Sequence, residues 1–296
     1  MTASWASRAD ENVEPSTWDK CVTTLLSLGS DDILYRGHAS FDWQLNSTLE
    51  RALLDHARVF DQHKYELMLS MAADDATENW ANDVEKTLMM RFRQQALSYN
   101  VPDLPPLRDR LGWWEVMQHH GAPTRLLDWT TSPFIGLWFA TESHQPEHGD
   151  MALWIYSRDT VSRNLATVIA DIKSDEDYDL LDERELQNKL IQTVIAGDRT
   201  ALLVPVKPRQ FQRAIAQQSV LTVSPNIGVA RPADWWVREK LATRIRIKQE
   251  WKPQIQAACQ SMGLSRVSLY RDLDNLGASI RQNFLNKEFR PDLGLF

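Results

Sequence analysis

The residues best suited to chemistry crowd into one stretch, Gln118 to Pro133, with the sequence QHHGAPTRLLDWTTSP. It holds the histidines His119 and His120, Arg125, Asp128, and the consecutive hydroxyls Thr130, Thr131 and Ser132. This mixture suits an anion. A guanidinium offers a planar fork that matches phosphate. Ser132-Pro133 is a helix start, with a hydroxyl at the N-cap and proline at the first helical position. Such a terminus presents unpaired N–H groups and the positive end of the helix dipole, which favours phosphate or pyrophosphate. Arg36, in a short strand-like run, is the second candidate fork. His119 and His120 could serve as general acid and base on a scissile phosphate, a metal-independent ribonuclease. Each feature also has a plainer role. Ser132 caps a helix whatever the function, Arg125 and Asp128 can close the corner as an ion pair, and His120 before Gly121 can cap a helix C-terminus.

Other site classes find no support. His119 and His120 are neighbours rather than i,i+4 partners, and neither HExxH nor CxxC occurs, so no metal is expected. The scattered His56, His63, His144 and His148 read as ordinary surface or core histidines. P-loop, GxGxxG and GxSxG signatures are missing. A second region of interest runs from Arg238 to Lys252, with six basic residues against two acids and with Trp235, Trp236 and Trp251 alongside. It reads either as a stacking platform for nucleic acid or as a solvated strand face.

These residues need elements to hold them. The pattern predicts a helix over 16–28, a strand at Ile33–Gly37 and a long helical region from Glu50 to Leu97, broken near the acidic patch Asp74 to Asn82. A proline-rich loop, VPDLPPL, precedes a helix from Arg108 to His120. Residues 123–130 run extended, and an apolar helix follows from Ser132, buried because it is hydrophobic nearly all round. Strands are expected at 151–157, 201–206, 219–224 and 243–248, the last one edge-like, with helices at 209–218, 253–263 and 269–284. An acidic surface insert spans about 171–188. Irregular alternation of strands and helices points to an α+β fold: a single mixed core around a small, mainly antiparallel sheet, with a helical insertion at about 50–120. A flexible polar lead of residues 1–15 precedes a domain over 16–290.

Composition is consistent with this. The chain has 296 residues, 43% hydrophobic and 25% charged, with 33 basic and 40 acidic side chains for a net charge of −7. This balance argues against a globally basic nucleic-acid binder. Two cysteines suggest a reducing compartment. The polar N-terminus lacks the apolar core of a signal peptide, and the longest apolar run, residues 133–140, is too short to span a membrane, so a cytoplasmic location without membrane contact is expected. Twelve tryptophans are an excess. Trp43, Trp129 and Trp138 fall in or beside the motifs that follow, and Trp129 is the one expected to face a ligand.

Taken together, Tyr35-Arg36-Gly37, Trp43-Gln44-Leu45, the run from Gln118 to Pro133, and Trp138-Phe139-Ala140 resemble the FRG domain family, whose Phe-Arg-Gly motif stands here as Tyr-Arg-Gly. Arg213 with Gln217-Gln218, and the tail from Leu269 to Leu276, extend the resemblance over roughly residues 30–285; Arg271 departs from the family's proline. It implies a bacterial stress or anti-phage role, with the protein a toxin or effector among partner proteins of a defence system. The order of motifs is also similar to the Arg/Ser-Thr-Ser/Glu class of ADP-ribosyltransferases. That resemblance implies NAD as substrate and a protein or nucleic-acid target. Arg36 would grip the diphosphate, with Tyr35, Gly37, Arg125, Asp128, Trp129, Thr130, Thr131 and Ser132 around the nucleotide. Where the class has its glutamate, this chain has Gln217. Either another acid, Glu142 or Asp128, takes that role, or the protein is a non-catalytic nucleotide or nucleic-acid sensor.

Overall fold

The computed structural model describes residues 13–28, 33–71, 74–99, 103–142, 149–157, 166, 168–170, 172–174, 181–196, 204–206, 212–239, 241–271 and 273–285. His144, His148, most of the polar lead and much of the acidic insert lie outside the described residues.

β-Branched and aromatic runs form the strands. β1 (Ile33–His38), β2 (Leu126–Thr130), β3 (Met151–Ser157), β4 (Val204–Val206), β5 (Ser219–Val223) and β6 (Thr243–Ile247) make one sheet in the order β4-β5-β2-β1-β3-β6. Every strand pairing is antiparallel. The expected α+β class with a small antiparallel sheet is what the chain forms. β6 is the edge strand, as its alternation suggested; Val13 bridges to Ile245 on its outer side and covers that edge.

The ladder is uneven. β1 and β3 are in register over six residue pairs, from Ile33–Ser157 to His38–Ala152, and β2 and β5 over five. Between β1 and β2, at the centre of the sheet, the register holds a single pair, Tyr35 opposite Thr130. The sheet is therefore two three-stranded halves hinged at one rung, and they part beyond it.

Alternation along β1 sends Ile33 and Tyr35 to one face and Leu34, Arg36 and His38 to the other. The first face is covered by α1 (Trp18–Leu28) and by α6 (Pro133–Glu142), whose Leu137 and Ala140 pack with Tyr35, Leu153 and Ile155. α6 crosses β1 so closely that a Cβ on Gly37 would stand 1.9 Å from the carbonyl oxygen of Gly136. α10 (Lys252–Ser261) adds Ile255 and Cys259 to the same layer.

The second face carries the larger core, built from Trp113, Trp114, Trp129, Trp154 and Tyr156. The helical insertion covers it: α2 (Thr48–Phe60), α3 (Gln62–Leu69), α4 (Asp75–Ala96) and α5 (Arg110–His119). A third cluster, around Leu49, Leu53 and Met68, lies inside the insertion itself. The core is thus in three parts, two of them separated by the sheet.

The acidic patch at Asp74 to Asn82 was expected to break the insertion. One break falls at the start of that patch, at Asp74, and another falls earlier, at Asp61, because these short polar side chains cap the helices there. Asp61 ends α2 and caps α3 through Lys64 N, and Asp74 caps α4 through Thr77 N. The acids that follow Asp74 sit in the first turn of α4, where they complement the helix dipole. Later in the chain come α7 (Glu183–Ala196), α8 (Gln212–Ala216) and α9 (Ala233–Arg238). The expected last helix is two, α11 (Arg266–Tyr270) and α12 (Leu273–Leu285), because Arg271 adopts a left-handed conformation with φ 51°.

Candidate functional site

Where β1 and β2 part, three connected chambers open around Arg36. The first, large beside the inner chamber at about 600 Å³, is lined by Tyr35, Arg36, Gly37, Trp43, Asp128, Trp129, Thr130, Phe139, Glu142, Arg213, Gln217, Ser219, Arg266 and Tyr270. A smaller inner chamber of about 210 Å³ shares Arg36, Asp128, Arg213, Gln217 and Ser219 with it and adds Thr48, Arg51, Gln118 and His119. A third, about 730 Å³, opens on the side of the helical insertion between Trp43, Arg51, Arg58 and Tyr65. Arg36 lines all three.

Arg36 is held from two sides. Its Nε donates to His38 Nε2 at 3.1 Å and one terminal nitrogen donates to the Asp128 carbonyl at 2.6 Å. Three of the five guanidinium N–H groups remain for the chambers. Burial lowers its pKa to about 10, against the pull of Asp128, so it stays charged at neutral pH. His38 is buried, and Trp154 Nε1 donates to its Nδ1 at 3.2 Å. A neutral imidazole accepts at one ring nitrogen only, so the ring takes one of these two donors, and an imidazolium would take neither. Burial, then the charge of Arg36, holds its pKa well below the usual histidine value.

Gln217 sits at the turn between α8 and β5. It is 6% exposed, and its Nε2 has no hydrogen-bond partner among the described residues. An orphaned buried amide N–H costs roughly 1–3 kcal/mol, which a bound acceptor would recover. Asp128 Oδ1 accepts from Gln118 Nε2 at 2.8 Å. Glu142, at the C-terminal end of α6, is bound on both oxygens: Arg266 donates to one and the Tyr270 hydroxyl to the other. The Arg213 guanidinium lies 4.5 Å from the Tyr270 ring centroid.

Several expected site residues have other duties. Arg125 is 0% exposed and locked against Glu85, with both nitrogen–oxygen distances at 2.6 Å. It also donates to the carbonyls of Ser224 and Pro225 and lies over the Trp114 ring. It is the brace between β2 and α4, not a phosphate fork, and Glu85 rather than Asp128 is its partner. Trp129 touches the large chamber but is only 2% exposed; its indole N–H donates to Thr222 and its ring stacks on Tyr156, so it is a wall and not a stacking surface. The half-exposed Trp43, at 44%, is the aromatic that reaches ligand space.

Gly37 lines the chamber, but its lack of a side chain serves the approach of α6. Thr130 Oγ1 accepts from Ser132 N, Thr131 bonds Gln218, and Ser132 caps α6 through Ile135 N. Thr131, Ser132 and Pro133, at the α6 N-terminus, line none of the three chambers. Of the two histidines, whose rings are 5.0 Å apart, His119 lines the inner chamber and His120 lines none of the three. The basic strand is not a platform either: Arg244 is buried over Phe41 and Trp154, Arg246 pairs with Glu14 and Asp150, and Trp236 and Trp251 are buried.

An α+β protein with a split antiparallel sheet and an arginine at the split is the class these features define. Residues 31–149 match the FRG domain model, so the chain carries an FRG domain, which contains β1, the helical insertion, β2 and α6. No curated protein and no solved structure matches the chain. Among the described residues no group of three or more histidine, cysteine, aspartate or glutamate side chains is arranged to hold a metal ion, and none of their helices is long and apolar enough to cross a membrane.

Proposed function

We propose that the split-sheet cleft binds a nicotinamide dinucleotide and transfers its ADP-ribose to a macromolecular acceptor. The observation that carries this reading is the pairing of Arg36 with the orphaned Gln217 amide across one cleft of about 600 Å³, beside the half-exposed Trp43. A dinucleotide supplies what that set lacks: phosphate oxygens for Arg36, a ribose hydroxyl oxygen for Gln217 Nε2, and a flat ring for Trp43. In the transfer, the bond between ribose C1′ and the nicotinamide nitrogen breaks and nicotinamide leaves with the electron pair. The acceptor's nucleophile bonds C1′ and gives up its proton. Asp128 is the carboxylate facing the developing positive charge, because Oδ1 alone is engaged by Gln118 whereas both Glu142 oxygens are occupied.

A second reading, a sensor that binds nucleotide without turnover, is favoured by one observation: Gln217 is an amide and cannot stabilise an oxocarbenium ion by charge. Calorimetry with NAD, alongside mass spectrometry of a bacterial lysate incubated with NAD and the protein, separates the two. ADP-ribosyl transfer gives binding and a modified acceptor. Arg36→Ala weakens binding at least tenfold, and Asp128→Asn keeps binding but loses at least 90% of the transfer. Binding with no modified acceptor leaves the sensor. A folded protein that does not bind NAD overturns both. The toxin role expected of such an effector is tested by induced expression, which arrests bacterial growth for the wild type and not for Arg36→Ala.

A further inference from the structure

We infer that the inner chamber is a phosphoryl-binding subsite that shares Arg36, Arg213 and the Gln217 amide with the large chamber and is completed by Arg51. The inference deepens the dinucleotide reading, though the subsite itself would accept any phosphoryl group. Three guanidiniums converge on a space of about 210 Å³. Among the described residues none of the three forms a salt bridge. Arg36 is held by His38 and a carbonyl, Arg51 donates to the Asn46 carbonyl at 2.6 Å, and Arg213 rests on the Tyr270 ring. Elsewhere this chain pairs arginines with acids, the buried Arg125 with Glu85 and the half-buried Arg184 with Glu115; here Arg36 and Arg213 are half-buried and Arg51 is exposed. Three cations brought together without carboxylate partners repel one another unless an anion joins them.

The other charged groups facing this space do not neutralise it. Glu115 lines the chamber but is engaged through both oxygens by Arg184. Asp128 accepts from the neutral Gln118 amide and offers one carboxylate against three guanidiniums. His119 lines the chamber and Ser219 adds a hydroxyl, whereas the Thr48 hydroxyl already donates to the Thr124 carbonyl. The buried Gln217 Nε2 without a partner is the independent sign that an acceptor belongs here. A tetrahedral phosphoryl group has acceptor oxygens in several directions and the matching charge. The chemistry fits two sources, the diphosphate of a dinucleotide or a terminal phosphomonoester.

The test is calorimetric titration of the full chain with inorganic pyrophosphate and with inorganic phosphate. Saturable binding is expected, weakening as salt rises, and ADP-ribose competes with it. Arg51→Gln and Arg213→Gln each weaken pyrophosphate at least tenfold while the melting transition stays cooperative. Arg51 lines the inner and third chambers but not the large one, so Arg51→Gln leaves the lining of the large chamber intact. Comparison of NAD with NADP assigns the source: a tenfold preference for NADP that Arg51→Gln abolishes means a phosphomonoester, and equal affinity means the diphosphate. No saturable binding of either inorganic anion, or binding that both variants leave unchanged, overturns the subsite even if NAD binds. Pyrophosphate binding without NAD binding overturns the dinucleotide reading and leaves the subsite standing.

Discussion

Two arginines in this chain show how environment sets role. Arg125 and Arg36 are both at strand-like positions beside Asp128 in the fold, and the sequence offers no local difference that separates them. Arg125 meets a buried glutamate from a helix forty residues earlier, and that long-range ion pair satisfies its charge. Arg36 meets a neutral histidine and a carbonyl, neither of which does. Partners brought in by tertiary packing were invisible in the stretch from Gln118 to Pro133, as was the burial that turned Trp129 into a wall. Position 36 was legible because Tyr-Arg-Gly stood next to a clear strand. His38 carries a pH consequence. Its folded pKa lies below the unfolded value of about 6.5, so at lower pH the unfolded chain binds a proton that the native ring refuses. The stabilisation is complete above pH 6.5 and is lost as pH falls. The slope reaches about 1.4 kcal/mol per pH unit for one proton. Chemical denaturation at pH 7, 6 and 5 should show that the wild type loses stability by this increment relative to His38→Gln, which keeps an acceptor but does not titrate. Parallel pH profiles for the two proteins would mean that His38 is protonated in the native state.

At the scale of elements, the glycine of the Tyr-Arg-Gly motif answers to packing. A methyl group at position 37 would collide with the Gly136 carbonyl at 1.9 Å and with Ala140 N at 2.5 Å, both backbone atoms of α6 that no rotamer change can move. Gly37→Ala should therefore destabilise the protein by roughly 3 kcal/mol or more, the upper end of over-packing costs. Thermal melting checks this, and a Tm unchanged within a degree would show that α6 can lift off β1 freely. A Cβ at Gly136 would meet Leu153 Cδ1 at 2.8 Å, the end of a flexible side chain that can move, and Tyr35 Cβ at 3.2 Å. Sequence patterning located α6, β1, β3 and β6 well, because apolar runs bounded by Ser-Pro, glycine or charged residues leave few alternatives. It located the break at Asp74 but missed the one at Asp61, which caps a helix inside a uniformly helical composition. It joined α11 to α12 because nothing local marks Arg271 as left-handed, and it missed α9, whose six residues are too few to show a helical period.

On the scale of the whole molecule, the single rung between Tyr35 and Thr130 makes the cleft a consequence of the sheet. The half β4-β5-β2 supplies Asp128, Ser219 and the adjoining Gln217; the half β1-β3-β6 supplies Arg36. No window of sequence could reveal this, since a split ladder is a relation between strands ninety residues apart. The Arg36 side chain already crosses the gap to the Asp128 carbonyl, standing in for the missing ladder bond. A phosphoryl ligand held by Arg36 from one half and Gln217 from the other would add a second connection. Ligand that binds only the native state stabilises it, by about 2.7 kcal/mol at a hundred times Kd. That stabilisation should concentrate where the halves meet. Amide hydrogen exchange with saturating pyrophosphate should slow at least tenfold across residues 36–38, 127–130 and 217–219, while α3, which contributes no residue to the inner chamber, keeps its free-state rates. Protection confined to one half would mean that the anion docks on one strand edge without bridging the split. Uniform protection across the chain would mean that the two halves already open and close together with the rest of the fold.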